Sequence, residues 1–257
     1  MLFDYLKYLL KAKSLHGTHS PFIYEFYEKV FNHDQKLDIF DSVESQRQDL
    51  RSSKENIQFE DFGAGSESSG AVSQKSVASI AKRSLKRAKW GRAFHRIVSQ
   101  YEISTVLELG TSLGITTSYL ASANPNATIF TFEGSKSVLN LAESVFQNLQ
   151  LSNIETHLGN IDETLPSFLK SCDKINFVYL DANHRLEPTL RYFDLIFPHL
   201  SEDSIVVFDD IYWSSEMKQA WKSIKEDTRV RQTIDLFEVG IVFFRKAQER
   251  EHFILKY

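Results

Sequence analysis

Residues 105–117, T-V-L-E-L-G-T-S-L-G-I-T-T, constrain the fold more than any other stretch of the chain. Val106, Leu107 and Leu109 make a short apolar run of the kind buried on both faces of a parallel sheet, and the run breaks at Gly110. A second glycine, Gly114, and a helix-like segment follow. The pattern is a strand, a tight turn and a helix start. Glycine lets backbone come close to a ligand at such a turn, and the free N–H groups opening the next helix face whatever binds there.

Downstream the βα pattern repeats. Residues 127–132, A-T-I-F-T-F, read as a second strand ending at Glu133 and Gly134, with a helix over 136–149 whose apolar face is Val138, Ala142, Val145 and Leu149. A third strand over 154–157 leads to G-N-I-D (159–162) and a short helix over 166–170. A fourth, over 174–180, ends in Asp181 and precedes a helix over 189–200. A fifth, over 204–208, ends in Asp209 and Asp210 and precedes a helix over 217–226. Residues 233–236 and 240–245, joined around Glu238, read as an antiparallel hairpin closing an otherwise parallel sheet. The expected fold class is α/β and Rossmann-like.

The first 98 residues read as a helical extension ahead of this domain, which would span 99–257. Helices are expected over 2–13 and 21–31, the second opened by Ser20 as cap and Pro21 at the first helical position. The apolar face of the first is better suited to its own domain or a twin subunit than to a membrane, because it carries mixed charge and several tyrosines. Residues 32–70 are polar, and D-F-G-A-G-S-E-S-S-G (61–70) is the strongest loop signal, read as a lid or surface loop. Asp61, Gly63 and Gly65 do not make a nucleotide loop on this reading, for want of a preceding β-run and a following amphipathic helix.

Residues 71–98 contain no acidic residue and carry Lys75, Lys82, Arg83, Lys86, Arg87, Lys89, Arg92 and Arg96. Val77, Ala81, Leu85 and Ala88 at helical spacing give a core-packed helix with a solvated basic face; the alternative is a surface for nucleic acid or an anionic substrate. No aromatic-interleaved platform for single strands accompanies it, which counts against nucleic acid.

Composition closes off several classes. The 257 residues, 42% hydrophobic, suffice for a large core, and the net charge of −4 gives no global pull toward nucleic acid. The single cysteine, Cys172, excludes an internal disulfide framework and argues against a cysteine-based zinc site, so a reducing cytoplasm is the expected compartment. No apolar stretch is long enough to span a bilayer, and Asp4 and Lys7 interrupt the layout of a signal peptide.

Glu133, Asp162, Asp181, Asp209 and Asp210 all follow expected strands. The carboxyl ends of strands in an open parallel sheet form the edge where ligands bind, so these acids should converge there. An acid after the second strand is placed to accept both hydroxyl protons of a ribose. Two acids after the fifth strand, facing one after the fourth, offer oxygen ligands to a hard divalent cation. Capping of the following helices is the competing explanation for each acid taken singly.

In order, V-L-E-L-G-T-S-L-G (106–114), Glu133-Gly134, G-N-I-D-E-T-L-P (159–166), Y-L-D-A-N-H (179–184) and V-V-F-D-D-I-Y-W (206–213) resemble the motifs of class I S-adenosylmethionine-dependent methyltransferases. The resemblance covers residues 90–246 and is strongest to small-molecule O-methyltransferases related to catechol O-methyltransferase. It implies a mostly parallel seven-stranded sheet with a reversed last strand. It implies that Glu108, Gly110, Ser112 and Gly114 line the methionine end of the cofactor, that Glu133, followed by Gly134, holds the ribose, and that Ile161 and Asp162 border the adenine. Asp181, Asp209 and Asp210 match the family's metal positions for Mg²⁺ or another divalent cation, the last being asparagine in the catechol enzymes. His184 stands where those enzymes carry a catalytic lysine, and Asp181 accompanies it as a catalytic residue.

The function so implied is methyl transfer from S-adenosylmethionine to a hydroxyl of a small molecule, with divalent-metal assistance and His184 as proton acceptor. Partners would be the small-molecule acceptor and a second copy through the N-terminal helices, with neither nucleic acid nor membrane. Alternatives are a metal-free enzyme with His184 as base and a non-catalytic module binding S-adenosylmethionine or a polyanion. A nicotinamide-dependent oxidoreductase would want G-x-G-x-x-G, which the spacing of Gly110 and Gly114 does not supply. No N-P-P-Y-type amine-methylation motif follows the fourth strand. His16, His19, Trp90 and Trp213 are within reach of an acceptor pocket on this reading, and each is better explained as a packing or capping residue.

Overall fold

Short apolar runs alternating with amphipathic helices bury best as a sheet flanked by helices, and the computed structural model has that arrangement. It describes residues 2–15, 18–32, 36–61 and 71–257. His16 and nearly all of the loop expected at 61–70 lie outside the described residues. In chain order the elements are α1 (Leu2–Lys11), α2 (Pro21–Val30), α3 (Asp38–Ser52), β1 (Asn56–Asp61), β2 (Ala71–Ser76), α4 (Val77–Ser84) and α5 (Ala88–Gln100). There follow β3 (Thr105–Leu109), α6 (Ile115–Ala123), β4 (Thr128–Glu133), α7 (Lys136–Asn148), β5 (Ile154–Leu158) and α8 (Ile161–Leu169). The chain ends with β6 (Ile175–Leu180), α9 (Leu186–Ile196), β7 (Leu200–Asp209), α10 (Ser215–Glu226), β8 (Gln232–Asp235), β9 (Val239–Phe243) and β10 (Glu251–Ile254).

The large sheet has the order β10-β8-β9-β7-β6-β3-β4-β5. Strand β9 runs antiparallel to both β7 and β8, which is the expected reversed strand. All seven expected strands form, and β10 adds an eighth, parallel to β8. Its four residues, E-H-F-I, bury only Phe253, which gives too short an alternation to signal a strand.

Residues 33–170 form one compact unit and residues 1–32 with 171–257 another. In the first unit, Phe40, Val43 and Leu50 of α3, Ile57 of β1 and Val77, Ile80 and Ala81 of α4 share one core with Leu113, Ile115, Tyr119, Val138 and Val145. The stretch after residue 36, read from the sequence only as polar, is thus a core-packed helix and a strand. Helix α3 buries one narrow stripe, Phe40, Val43, Arg47 and Leu50, on an otherwise charged helix. Strand β1 pairs antiparallel with β2 from Asn56↔Ser76 to Asp61↔Ala71, so a strand does precede the loop. The basic stretch is likewise a strand and two helices, broken at 85–87, and Arg96 is buried rather than solvated.

His95 in α5 is 4% exposed and lies edge-on to Phe40 at 4.8 Å. Burial, and secondarily Arg96, push its pKa down to about 4. A histidine depressed in the folded state binds fewer protons than in the unfolded chain, so its contribution is complete above pH 6.5 and is lost as pH falls toward 4. The loss should reach about 3 kcal/mol in urea unfolding at pH 4 relative to pH 7. A His95→Leu variant with the same acid loss would show that another group is responsible.

In the second unit, Tyr8 and Ala12 bury the inner side of the N-terminal segment, while Leu2 and Leu10 are 75% and 88% exposed. The Tyr8 and Tyr27 hydroxyls donate to the carbonyls of Leu255 and Lys256, and Lys13 bridges Leu255. The N-terminal helices are thus tied to the C-terminal tail. Among the described residues, no helix is long and apolar enough to cross a membrane.

Candidate active site

In the unit of residues 33–170, the turn after β3 takes the conformation its glycines permit. Gly110, Ser112 and Gly114 have φ of 104°, 48° and 76°. Gly114 caps α6, and a Cβ there would lie 2.6 Å from Phe146, so both conformation and space demand glycine. The amides of Gly110 and Thr111 donate to the Phe132 carbonyl at 3.1 and 3.0 Å, which holds the turn against the end of β4.

Glu133 ends β4 and faces that turn. The Ser112 amide donates to its Oε2 and the Ser135 amide to its Oε1, each at 2.9 Å. Burial pushes the carboxyl pKa up, and the amides of Ser135, Ser112 and Gly134 pull it back. A carboxylate has about four acceptor positions, so each oxygen keeps capacity for a ligand hydroxyl. The Gly159 amide donates to the Glu133 carbonyl at 2.9 Å, and Gly159 has φ of 132°. Asn160 then caps α8 by accepting from the Asp162 amide at 3.0 Å. Ile161 and Asp162 thus open α8, five residues earlier than the expected helix, with Ile161 half-buried and Asp162 exposed. Gly110, Ser112, Gly114, Glu133, Gly134, Ile161 and Asp162 all come to the carboxyl edge of β3, β4 and β5.

Glu108 does not reach that surface. It has no exposed area, and its Oε2 accepts from Thr117 and Thr131 hydroxyls at 2.5 and 2.6 Å. Because the Thr131 hydrogen goes to Glu108, the 2.6 Å contact between the Thr111 and Thr131 hydroxyls is donated by Thr111. In this conformation Glu108 acts on the turn through Thr111 and offers no atom to a ligand.

Two contacts to this edge come from segments assigned to the extension. The Glu60 amide reaches the Ser135 hydroxyl at 3.4 Å. The Ser84 hydroxyl, which donates to the Ile80 carbonyl, lies 2.9 Å from the Ser112 hydroxyl, so Ser112 is the donor there. Nothing local in the sequence marks either residue; spacing from the turn carries no signal for contacts this far apart along the chain.

In the other unit, Asp181, His184, Asp209 and Asp210 gather at the ends of β6 and β7. His184 Nε2 is 3.3 Å from Asp181 Oδ1. Burial alone would lower the imidazole pKa; the hydrogen bond to Asp181 and the charges of Asp181, Asp209 and Asp210 outweigh it and raise the pKa to about 9. Tyr179, one strand register before Asp181, joins the acids. Its hydroxyl is 2.8 Å from Asp209 Oδ2 and 3.1 Å from Asp181 Oδ2, and its single hydrogen favours the shorter contact. Burial and both carboxylates hold its pKa far above the phenolic range. Tyr179 stood inside Y-L-D-A-N-H, but a buried strand aromatic is ordinarily core, and only the fold places its hydroxyl between two acids.

The backbone here is strained. Asn183, His184 and Asp210 have φ of 67°, 31° and 51°. Left-handed conformations at such residues persist where surroundings over-determine them, and they cluster at working sites. The His184 amide donates to the Ala182 carbonyl and the Asp210 amide to the Glu238 carbonyl, each at 2.8 Å. Asn183 Nδ2 donates to the Tyr192 hydroxyl at 2.8 Å.

The three acids of the expected divalent-cation site gather here, with several of their oxygens hydrogen-bonded within the ligand-free chain. Asp209 is 2% exposed, and its Oδ2 accepts from Tyr179 while Oδ1 accepts from the Asp210 amide at 2.9 Å. Asp181 is engaged by Tyr179 and His184. Among the described residues, no group of three or more His, Cys, Asp or Glu side chains is placed to hold a metal ion. Of the residues expected near an acceptor, Trp90 is wholly buried core, His19 is exposed and Trp213 is 59% exposed.

Residues 107–211 match the family model described as a methyltransferase domain. The methyltransferase PaMTH1 of Podospora anserina, bound to SAH, superposes with a TM-score of 0.60 at 13% identity, over 86% of this chain and 93% of that one. An O-methyltransferase of Bacillus cereus in complex with SAH gives 0.56 at 14% identity, over 85% and 96%. The O-methyltransferase TomG of Streptomyces achromogenes, in complex with SAM, gives 0.56 at 14%, over 86% and 94%. No curated protein matches the sequence. The motifs, the reversed strand and the strand-end acids thus have one common explanation: residues 107–211 match a methyltransferase-domain model, and the chain has a Rossmann-like methyltransferase fold.

Proposed function

We propose that the chain transfers the methyl group of S-adenosylmethionine to a hydroxyl oxygen of a small molecule. The observation that carries this reading is Glu133, a half-buried carboxylate aimed by the amides of Ser112 and Ser135 and still able to accept from a ribose diol. Gly110, Ser112 and Gly114 receive the methionine portion, and Ile161 and Asp162 border the adenine. The solved O-methyltransferases with bound SAM or SAH support the choice of cofactor.

Displacement at a sulfonium methyl needs an oxygen held in line behind the carbon and relieved of its proton. His184, oriented by Asp181, is the proton acceptor. At neutral pH it carries a proton in the ligand-free protein and must shed it before it can act as base. Tyr179 keeps Asp181 and Asp209 in register through its hydroxyl. No step is assigned to a metal.

Calorimetric and thermal-shift titration of the whole chain with S-adenosylhomocysteine and, separately, NAD tests the cofactor. At a hundred times its dissociation constant, S-adenosylhomocysteine should add about 2.7 kcal/mol to stability, a melting shift of roughly 5–10 °C. Stabilisation by NAD alone would overturn the reading. Binding without transfer to any of a panel of hydroxylated acceptors would favour a non-catalytic module.

A further inference from the structure

We propose that the outward face of α1 docks a second copy of the chain, the two helices packing antiparallel about a twofold axis at Leu6. Residues two apart on a helix point about 160° away from each other. Tyr8 is 5% exposed against its own unit, so Leu6 and Leu10 on either side of it face outward, and Leu2 lies one turn before Leu6. Phe3 and Leu9 edge this stripe. The five side chains are between 39 and 88% exposed. The tyrosines that give the helix its mixed character turn toward the body instead, the rings of Tyr5 and Tyr8 lying 4.9 and 5.4 Å from that of Phe237.

The helix is not free to roll over and bury this stripe. The Tyr8 hydroxyl donates to the Leu255 carbonyl, Lys13 bridges to Leu255, and Lys218 Nζ donates to Asp4 at 3.2 Å. Phe237 is itself stacked on Tyr212 at 5.0 Å, and the Tyr212 hydroxyl donates to buried Asp235. These contacts hold α1 near both ends and leave its apolar side in water. A contiguous apolar patch of that kind marks an interaction surface.

The arrangement of the stripe points to a second copy. In an antiparallel pair about Leu6, Leu2 meets Leu10 of the other copy, Phe3 meets Leu9 and Leu6 meets Leu6, so every apolar position finds an apolar position. That is the self-complementarity an isologous contact needs. Lys7, whose Nζ lies 4.3 Å from the centre of the Phe3 ring, stands on the flank as polar rim. The stripe exposes on the order of 500 Å² per copy, about 1,000 Å² in a pair, which is the threshold for a specific interface and fits a reversible, micromolar dimer. A lipid surface asks for a strongly cationic polar face opposite the apolar one. On α1 that side is taken up by the packing of Tyr5, Tyr8 and Ala12 and by Asp4.

The test is sedimentation velocity of the full chain between about 1 and 500 µM. The weight-average mass should rise from that of one chain toward that of two. Leu6→Asp sets two carboxylates face to face on the axis and should weaken association at least about thirtyfold. Its melting temperature at the lowest concentration should match that of the unaltered chain, because Leu6 is 51% exposed. In a Cys172→Ser background, Leu6→Cys should cross-link to itself on oxidation. Leu10→Cys should not, its two copies lying about 12 Å apart along the pair, whereas an equal mixture of Leu2→Cys and Leu10→Cys chains should. A chain that stays monomeric throughout overturns the proposal, and if that monomer sediments with vesicles of phosphatidylcholine and phosphatidylserine the occupant is a membrane. A dimer that persists in Leu6→Asp, or that cross-links through Leu10→Cys and not Leu6→Cys, overturns the face or the register assigned to it.

Discussion

Replacing His184 by alanine is expected to lower the methyl-transfer kcat by 10²–10⁴-fold, the usual contribution of a positioned general base, with S-adenosylhomocysteine affinity unchanged. The imidazole is the one nitrogen base in a group otherwise made of carboxylates and a phenol, and Asp181 holds it at 3.3 Å. His184→Gln should be nearly as inactive, because an amide keeps the hydrogen-bonding shape and accepts no proton. The split between kcat and cofactor affinity separates catalysis from a structural role: a collapsed site would lose both. A kcat within threefold of the unaltered protein, at saturating acceptor, would remove His184 from the chemistry.

The second large effect is on binding. Glu133→Ala should weaken S-adenosylhomocysteine roughly a hundredfold, as expected for losing two charge-assisted hydrogen bonds worth about 1.5 kcal/mol each. Glu133 and Ser112 are half-exposed, so water can replace the carboxylate at the Ser112 amide, while Ser135 is buried and its amide loses an acceptor; the fold should survive with a modest loss of stability. Glu133→Gln keeps one acceptor oxygen and should fall between. Calorimetry reads the affinity directly, and an unchanged value in the alanine variant would falsify the ribose assignment.

Both predictions begin from residues recognisable in the sequence, because strand ends are local features. An apolar run that stops at Asp181 or Glu133 places that acid at the carboxyl edge of a parallel sheet whatever the rest of the chain does. Gly114 is similar: helix start and positive φ are written into a few neighbouring residues. What the acids do with one another is a different matter. Tyr179 and Asp209 are thirty residues apart, and their hydrogen bond follows from the β6–β7 register, in which Tyr179 pairs with Val207. That bond, with the Asp210 amide on the other oxygen, gives each Asp209 oxygen a donor within the protein.

The N-terminal part shows the same limit. Helix α3 was hidden because four buried positions among eleven other mostly charged or polar residues give little periodic signal, and β1 and β2 because a six-residue hairpin strand needs its partner to be recognised. Their burial against Leu113, Ile115 and Val138 puts them in the core beneath the turn after β3.

Local chemistry, then, was enough to mark residues 105–117 as a strand, turn and helix start, to order the strand-end acids and to single out an acid-free basic stretch. Glu108 buried against Thr117 and Thr131, Ser84 on Ser112, Tyr179 between two carboxylates and the Arg47 contact to the Lys86 carbonyl came from packing. The reason is that a strand's end is fixed by its own few residues, whereas a hydrogen bond between distant segments exists only once the sheet register and helix packing bring both partners within 3 Å.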